Sequence, residues 1–320
     1  MKKTISILLA LAMVLGLAAC MKVKAADTPA TETKNANVAV TAAPTQAPTP
    51  EPTAVPFDVA IAEANEKLQQ VKSMHLDMEM TMGLTISISM GEMNQTMPMD
   101  IHMLYVMDII TDPYVAKMDL SLSGMGQEQK GTIYTTRDGE NTILYTSDDE
   151  GVTWKKSTNP QEDQLPQSPD ATLNMFSGAA ANIQLIGTEE VNGKTASVYA
   201  GTIDGKFLQE ILDSTAAAGE LTEAMGADMS AEALADLSDI QVTVKIDQES
   251  GLPVQYTIDM ADAMKDLMHA ALVASMGGEL PEGIEMELDM SAMVIDMVLS
   301  NFDAVEPIEI PEAALNAPEL

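Results

Sequence analysis

The stretch that decides the fold is residues 74–90, which read Met-His-Leu-Asp-Met-Glu-Met-Thr-Met-Gly-Leu-Thr-Ile-Ser-Ile-Ser-Met. Every even position is apolar, and every odd position is polar or, at Gly83, glycine. Because successive side chains of a β-strand point to opposite faces, this alternation predicts a strand with one apolar and one polar face. It predicts either one long strand or two strands with a break at Gly83.

The same alternation returns along most of the chain. The further strands that it predicts are 97–109, 116–122, 240–246, 252–260 and 284–290, the last continuing after a bulge through Ile295, Met297 and Leu299. Three Asx-Gly pairs, which supply the positive φ of tight hairpins, are Asp138-Gly139, Asn192-Gly193 and Asp204-Gly205. Together they predict consecutive antiparallel strands.

Helical spacing is confined to fewer segments. The first helix is expected to begin at a capping Asp58 and to run to Lys72, with Val59, Ala62, Ala64, Leu68 and Val71 on its apolar side. Further helices are predicted at about 170–182, 206–218, 230–237 and 260–275. A long sheet with one apolar face must bury that face. We therefore expect an α+β fold, mainly antiparallel β, whose sheet curls around helices.

The N-terminus carries the parts of an export signal. Lys2 and Lys3 precede the apolar run 5–17, which ends in Leu17-Ala18-Ala19-Cys20. This run is too short for a lasting membrane span. The Leu-Ala-Ala-Cys motif resembles the lipobox of bacterial lipoproteins, in which the signal is cut before the cysteine. We expect residues 1–19 to be the signal peptide and Cys20 to carry palmitate-like acyl chains that anchor the chain in the membrane.

Composition changes again before the folded part. Residues 20–56 are rich in Thr, Ala and Pro, so we expect a disordered tether, followed by one domain at 57–320. Cys20 is the sole cysteine, which excludes disulfides and thiolate metal sites in the domain. A net charge of −33 disfavours nucleic acid and anionic headgroups as partners. The expected protein is a monomer on the outer face of the cytoplasmic membrane of a bacterial cell envelope.

The apolar faces are unusual because methionine dominates them. The chain has 26 Met, whereas aromatic residues make up 3%. Methionine is flexible and polarisable, so it suits irregular gaps or a surface that accepts several shapes. Two interpretations remain open, a plain core and a ligand cavity, and the residues alone favour the core.

A family resemblance favours the cavity. The lipobox, the tether, a first helix ending Leu-Gln-Gln-Val-Lys-Ser at 68–73 and the long alternating strands resemble the LolA/LppX-like lipoprotein superfamily, and more narrowly its uncharacterised members in Firmicutes. The segments 242–247, 251–254 and 308–314 agree with this pattern. The resemblance implies a curved half-barrel with helices over its concave face and a lipid or other apolar molecule as ligand. Because the predicted lipid anchor at Cys20 would hold the chain at the membrane, we expect a binding protein that stays at the surface and not a carrier that moves between membranes.

The cavity lining that this implies consists of ten residues, Met78, Met80, Met82, Met99, Ile101, Met103, Met118, Leu120, Met286 and Met297. The alternative is a structural or interaction lipoprotein of the envelope that has the same fold and no ligand. A third hypothesis is a soft-metal binder, since thioethers bind copper(I), but its histidines, His75, His102 and His269, are scattered.

Other motifs favour structure over chemistry. Residues 147–154, Ser-Asp-Asp-Glu-Gly-Val-Thr-Trp, match one Asp-box, which predicts a hairpin turn with Trp154 against the sheet. One copy gives no propeller. Glu285, Glu287 and Asp289 follow one polar strand face but lack the loop ligands of a calcium site. No nucleophile, zinc, P-loop or dinucleotide signature occurs, so we expect no enzyme, cofactor or metal.

Overall fold

A computed structural model describes residues 55–90, 93–124, 126–139, 141–159, 182–205, 237–275 and 284–319. Its strands are β1 Ser73–Met90, β2 Met93–Thr111, β3 Tyr114–Gly124, β4 Gln127–Asp138, β5 Asn141–Ser147, β6 Lys155–Thr158, β7 Gln184–Val191, β8 Lys194–Ile203, β9 Ile240–Asp247, β10 Pro253–Asp259 and β11 Ile284–Ser300. Its helices are α1 Phe57–Leu68, α2 Ala261–Ser275 and α3 Glu312–Leu315.

All the strands belong to one open, curved, antiparallel sheet of eleven strands in the order β6-β5-β4-β3-β2-β1-β11-β10-β9-β8-β7. The strand that opens the sheet in sequence, β1, therefore lies in its centre between β2 and β11. The expected half-barrel of the α+β class is confirmed. A strand buried in the middle of a sheet needs neighbours on both edges, and β1 obtains the second from a strand about 200 residues later.

The central strand is unbroken, so Gly83 does not divide it. Instead, Gly83 lies opposite the predicted bulge in β11. The register of the β1–β11 pair shifts there, between Gly83 and Leu84. A Cβ at Gly83 would lie 2.4 Å from the Ser291 hydroxyl oxygen. The glycine thus leaves room for the Ser291 side chain at the bulge.

The two faces of the sheet are unequal, as the alternation predicts. The even residues of β1 from Met74 to Ile86 lie on the concave face, where all but Met78 are buried. Helices α1 and α2 pack against this face, and with it they form one continuous apolar core. The odd residues of β1 point to the convex face.

Helix α1 forms in the predicted region, but it ends at Leu68 and not at Lys72, and it presents a different side. Its buried residues are Phe57, Ala60, Ile61, Ala64 and Leu68, whereas Val59 and Ala62 are exposed. Pro56 precedes the helix, and the Phe57 ring enters the core beside the Tyr199 ring at 5.5 Å. That ring contact sets the rotation of the helix. Asp58 lies in the first turn and makes no capping hydrogen bond, so its predicted capping role is wrong.

Two of the three predicted hairpins are confirmed. Gly139 lies between β4 and β5 with φ 62°, and Asn192 and Gly193 lie between β7 and β8 with φ 51° and 77°. Asp204-Gly205 is not a hairpin, because β8 pairs next with β9, which begins only at Ile240. Gly205 meets a different requirement, since a Cβ there would lie 2.4 Å from the Leu237 carbonyl oxygen.

Helix α2 confirms the helix predicted at 260–275. The signal peptide, Cys20 and the tether up to residue 54 lie outside the described residues, as do the helices predicted at 170–182, 206–218 and 230–237 except for Asn182 and Leu237. Among the described residues, no helix combines the length and apolar character needed to cross a membrane.

After β11 the chain crosses the convex face as a segment that we call the C-terminal strap, residues 301–319. It is held first at Ser73, where the Asp303 amide donates to the backbone carbonyl at 2.7 Å and the Val305 amide donates to the hydroxyl at 3.2 Å. It is held again at β6, where the Lys156 amide donates to the Pro318 carbonyl at 3.0 Å. At the other end of the sheet, the Tyr199 hydroxyl donates to the Val55 carbonyl at 3.2 Å, where the chain enters the domain.

Candidate ligand-binding face

Methionines from neighbouring strands meet in pairs at the middle of the concave face. Met80 lies opposite Met103 of β2, while Met78 and Met82 lie opposite Met297 and Met293 of β11. Neighbouring strands are only about 4.8 Å apart, so these side chains form a continuous surface. We call this surface the methionine patch; its members are Met78, Met80, Met82, Met103, Met107, Met118, Met290, Met293 and Met297.

Helix α2 adds methionines of its own. It packs against β11, and its Met264 and Met268 are 1% and 6% exposed within the same core. Thioether side chains thus come both from the sheet and from the helix where α2 packs on β11. Because each has three rotatable bonds, this packing can rearrange at low cost.

The structure brings the predicted lining residues onto one face. Those buried are Met80, Met82, Ile101, Met103, Met118 and Met297, and those partly buried are Met78, Met99 and Leu120. Met286 pairs with Ile88 in the sheet, and its side chain lies outside the described residues. Their role as a ligand lining stays a prediction.

Met78 differs from the side chains around it. It is partly accessible, although it lies in the centre of the sheet. Its four neighbours on the concave face are buried, with exposed fractions of 4% for Leu76, 3% for Met80, 0% for Tyr105 and 7% for Met297. Met78 is thus the member of this group that solvent partly reaches.

One polar side chain also lies on this face, although no pattern in the sequence indicated it. Thr135 of β4 is 2% exposed and lies opposite Ala116 and Leu144. Its hydroxyl has no hydrogen-bond partner within the described part of the chain. A buried hydroxyl without a partner costs about 1–3 kcal/mol, so this position would gain from a ligand group that bonds it. The burial of Thr135 becomes evident only from its apolar neighbours on β3 and β5, and these neighbours can be identified only once the strand register is known.

The histidines lie away from the methionine patch. His75 and His102 are on the convex face, as predicted, and His269 is exposed on α2. The His75 ring bonds Asp108 at 2.7 Å and approaches Asp77 at 3.3 Å. Glu287 and Asp289 are exposed, while the Glu285 side chain is outside the described residues. The described residues contain no group of three His, Cys, Asp or Glu that could hold a metal ion.

The Asp-box forms the predicted hairpin turn between β5 and β6. The Thr153 amide and hydroxyl donate to the Asp149 carboxylate at 2.7 and 2.6 Å, and the Trp154 indole donates to the Gly151 carbonyl at 3.0 Å. These bonds to Thr153, with those from Ser147 and Val152, lower the pKa of Asp149 to about 2. The turn keeps its carboxylate charged and presents Trp154 to the convex face.

There Trp154 joins a small second core. Its ring lies 5.6 Å from that of Tyr134, and both pack with Tyr145 and Ala314 of the C-terminal strap. We call these four residues the aromatic cluster. It seats the strap on the sheet, and the sequence analysis, which placed Trp154 against the sheet, did not predict what covers it.

Comparison with known proteins places the chain in a family. Residues 58–319 match the model described as a family of unknown function (DUF6612). No curated protein matches the chain.

The chain also matches several solved structures at low identity. The chain is similar to LprF from Mycobacterium bovis, at 13% identity and a TM-score of 0.39, over 80% of this chain and 96% of that chain. It is similar to the lipoprotein LppX from Mycobacterium tuberculosis, at 14% identity and a TM-score of 0.33, over 79% and 97%. A LolA superfamily protein from Nitrosomonas europaea matches at 11% identity and a TM-score of 0.20, over 81% and 96%. In each case the likeness is one of fold alone.

Proposed function

This chain belongs to DUF6612, a family of unknown function, and we propose that it is a lipoprotein that binds a lipid or another apolar molecule against the methionine patch. Acyl chains on Cys20 would hold it on the outer face of the cytoplasmic membrane, with residues 21–56 as a tether. Its role would be binding and not catalysis.

The observation that carries this proposal is the pairing of methionines across β2, β1 and β11. A core that only had to be filled could use rigid aromatic side chains, which bury more area per residue. Thioethers instead give an apolar surface whose shape adjusts to its contact. A flexible acyl chain, which presents no fixed shape, is the kind of ligand that such a surface suits.

The partial accessibility of Met78 supports the same conclusion, because Met78 lies at the centre of the methionine patch, between β2 and β11. The buried hydroxyl of Thr135, four strands from β11, supports a ligand that is apolar along most of its length and has a polar group at one end.

A ligand-free envelope protein is the second candidate. The observation that favours it is the burial of Met80 and Met103, which are 3% and 4% exposed within one continuous core. On this view the methionines are ordinary core residues.

Lipid analysis distinguishes the two candidates. The full chain, extracted from its membrane in mild detergent, would be examined by native mass spectrometry and by lipid extraction. We expect a bound apolar molecule in addition to the covalent acyl chains. Met78→Trp should exclude that molecule by covering the methionine patch, and because Met78 is partly accessible it should leave the unfolding midpoint nearly unchanged.

Two controls make the result specific. Thr81→Trp places the same ring on the convex face of the same strand and should retain the ligand. A filled core would instead yield no ligand, and Met78→Trp would then destabilise the domain by about 1–3 kcal/mol through overpacking.

The anchor is tested separately from the ligand. Cells that produce the chain would be labelled with palmitate, and membrane and soluble fractions would be compared for the original chain and for Cys20→Ala. We expect label and membrane association only with Cys20. Labelling of the Cys20→Ala chain would contradict lipidation at that residue.

A further inference from the structure

The convex face contains a cavity of about 460 Å³ between the sheet and the C-terminal strap. The sheet contributes His75, Asp108, Lys117 and Tyr134, and the strap contributes Asn301 and residues 304–309. This volume falls within the range of small-molecule sites. The cavity is separate from the methionine patch, which lies on the opposite face.

Strand register brings the four sheet residues together. His75 lies opposite Asp108, Asp108 opposite Lys117, and Lys117 opposite Tyr134. The four side chains therefore form one row across β1, β2, β3 and β4, on the convex face of the sheet. Such a row is a rigid floor, because each member is fixed by a paired strand.

The strap forms the opposite wall. It is fixed by its bonds to Ser73 at one end and to β6 at the other. Among the described residues, the backbone of residues 306–310 makes no hydrogen bond to the sheet. Ile308 and Ile310 pack on the aromatic cluster, while Glu306 and Glu309 line the cavity.

The basic groups on the floor of the cavity are already paired with carboxylates. Both ring nitrogens of His75 face carboxylates, those of Asp108 and Asp77, and Lys117 bonds Asp119. The strap adds the carboxylates of Glu306 and Glu309, so the lining holds both donors and acceptors. A hydroxyl group can bond either kind, so a ligand rich in hydroxyl groups suits this lining.

Tyr134 supplies the group that points to a ligand. Tyr134 is only 7% exposed and lines the cavity, and among the described residues its hydroxyl makes no hydrogen bond. Burial raises the pKa of Tyr134 although the nearby Lys117 charge lowers it, so the hydroxyl stays protonated and can donate. Its ring is held in the aromatic cluster beside the cavity.

We propose that this cavity binds a small uncharged molecule rich in hydroxyl groups, of the size of a mono- or disaccharide. Tyr134 and Lys117 donate to it from the floor, and the carboxylates of Asp108, Glu306 and Glu309 accept from it. A hydroxyl both donates and accepts, so a polyol satisfies donors on one wall and acceptors on the other. The proposal does not depend on what the concave face holds.

The test is calorimetric titration of the full chain in detergent with glucose, N-acetylglucosamine and maltose, and in parallel with spermidine and inorganic phosphate. We expect at least one sugar to bind more tightly than about 10 mM, and neither ion to compete with it. Tyr134→Phe should weaken sugar binding about tenfold, because it removes one hydrogen bond and keeps the ring.

Tyr145→Phe is the matched control. It removes a hydroxyl from the same aromatic cluster but not from the lining of the cavity, so sugar affinity should not change. The near-ultraviolet circular dichroism of Trp154 reports whether either variant disturbs the cluster. Absence of sugar binding, equal losses in both variants with the cluster intact, or Tyr134-dependent binding of an ion in place of sugar would overturn the proposal.

Discussion

The two faces of the same sheet are packed with opposite kinds of side chain. The methionine patch on the concave face consists of flexible thioethers, whereas the aromatic cluster on the convex face contains the chain's one tryptophan and two of its six tyrosines. The aromatic cluster has one fixed occupant, the C-terminal strap. This difference suggests that rigid rings are used where the contact is permanent, and thioethers where the contact must adjust.

The local bonding supports this reading of the difference. The Trp154 indole bonds Gly151 at 3.0 Å, and Gly151 itself has φ 87°, so the ring is held by a turn of special geometry. The thioether sulfurs of the patch are at best weak acceptors, so packing alone orients their side chains. The aromatic cluster should therefore tolerate changes of shape poorly, and the methionine patch should tolerate them well.

The largest effect should come from a charge in the methionine patch. Met80→Glu places a carboxylate where the side chain is 3% exposed, and we expect a loss of at least about 4 kcal/mol in the free energy of unfolding, or no folded protein. Urea denaturation followed by circular dichroism measures this. Thr81→Glu, on the convex face, should cost less than about 1 kcal/mol.

Met78→Glu tests whether the methionine patch is a ligand surface or a closed core. Because Met78 is partly accessible, the carboxylate introduced there can remain hydrated, so the variant should fold and should lose the apolar ligand. Equal destabilisation by Met78→Glu and Met80→Glu would show that the concave face is a closed core.

The next largest effect should come from the aromatic cluster. Trp154→Ala removes its largest ring and should cost about 3–5 kcal/mol. It should also release the strap, so the Lys156 amide, which bonds Pro318 at 3.0 Å, should exchange its hydrogen faster. Hydrogen exchange with mass spectrometry measures this. Val152→Ala in the same turn is the control, since Val152 is 77% exposed and should change neither quantity.

A pair of mild substitutions compares the two faces directly. Met103→Leu conserves volume in the methionine patch and should cost less than about 1.5 kcal/mol. Tyr145→Leu removes a ring from the aromatic cluster and should cost about 2–3 kcal/mol. Both residues are about equally buried, at 4%. Thermal unfolding of both variants gives the comparison, and equal costs would remove the distinction drawn between the faces.

The smallest effect should depend on pH. Burial lowers the pKa of His75, but its hydrogen bond to Asp108 and the charges of Asp77 and Asp108 outweigh burial and raise it above the ordinary value of 6.5. A raised pKa means that the stabilisation is complete below 6.5 and is lost as the pH rises through the folded-state value. Stability should therefore fall slightly above neutral pH, and less so in His75→Gln. Titration of the ring by NMR measures the shift, and a pKa below 6.5 would contradict it.

The sheet could be predicted from sequence because its signal is local. The alternation at 74–90 assigns each side chain to a face, and the change of parity between Met290 and Ile295 locates the bulge. Local signals failed where a distant contact decided the outcome. Phe57 rotates α1 by stacking on Tyr199, and the segment after Asp204 leads away from the sheet before β9 returns.

The two candidate sites were predictable to different degrees. The methionine patch follows from alternation, because neighbouring strands add their apolar faces whatever the register. The row from His75 to Tyr134 depends on the register of three strand pairs, and no pattern in the sequence specifies it. Residues 303–311 of the strap have neither helical nor strand periodicity, so their path over the convex face could not be inferred.

The entry of the chain beside β8 also has a mechanical consequence. The bond from Tyr199 to Val55 joins the start of the domain to one side of the sheet, while the strap is fastened to β6 at the far side. Tension transmitted through the residues before Val55 would reach α1 and β8 first. The central strand β1, which follows α1 along the chain, would be loaded next, together with the strap that bonds Ser73. The bond from Tyr199 and the turns of α1 would thus take up a pull before the surface on which a cargo would rest.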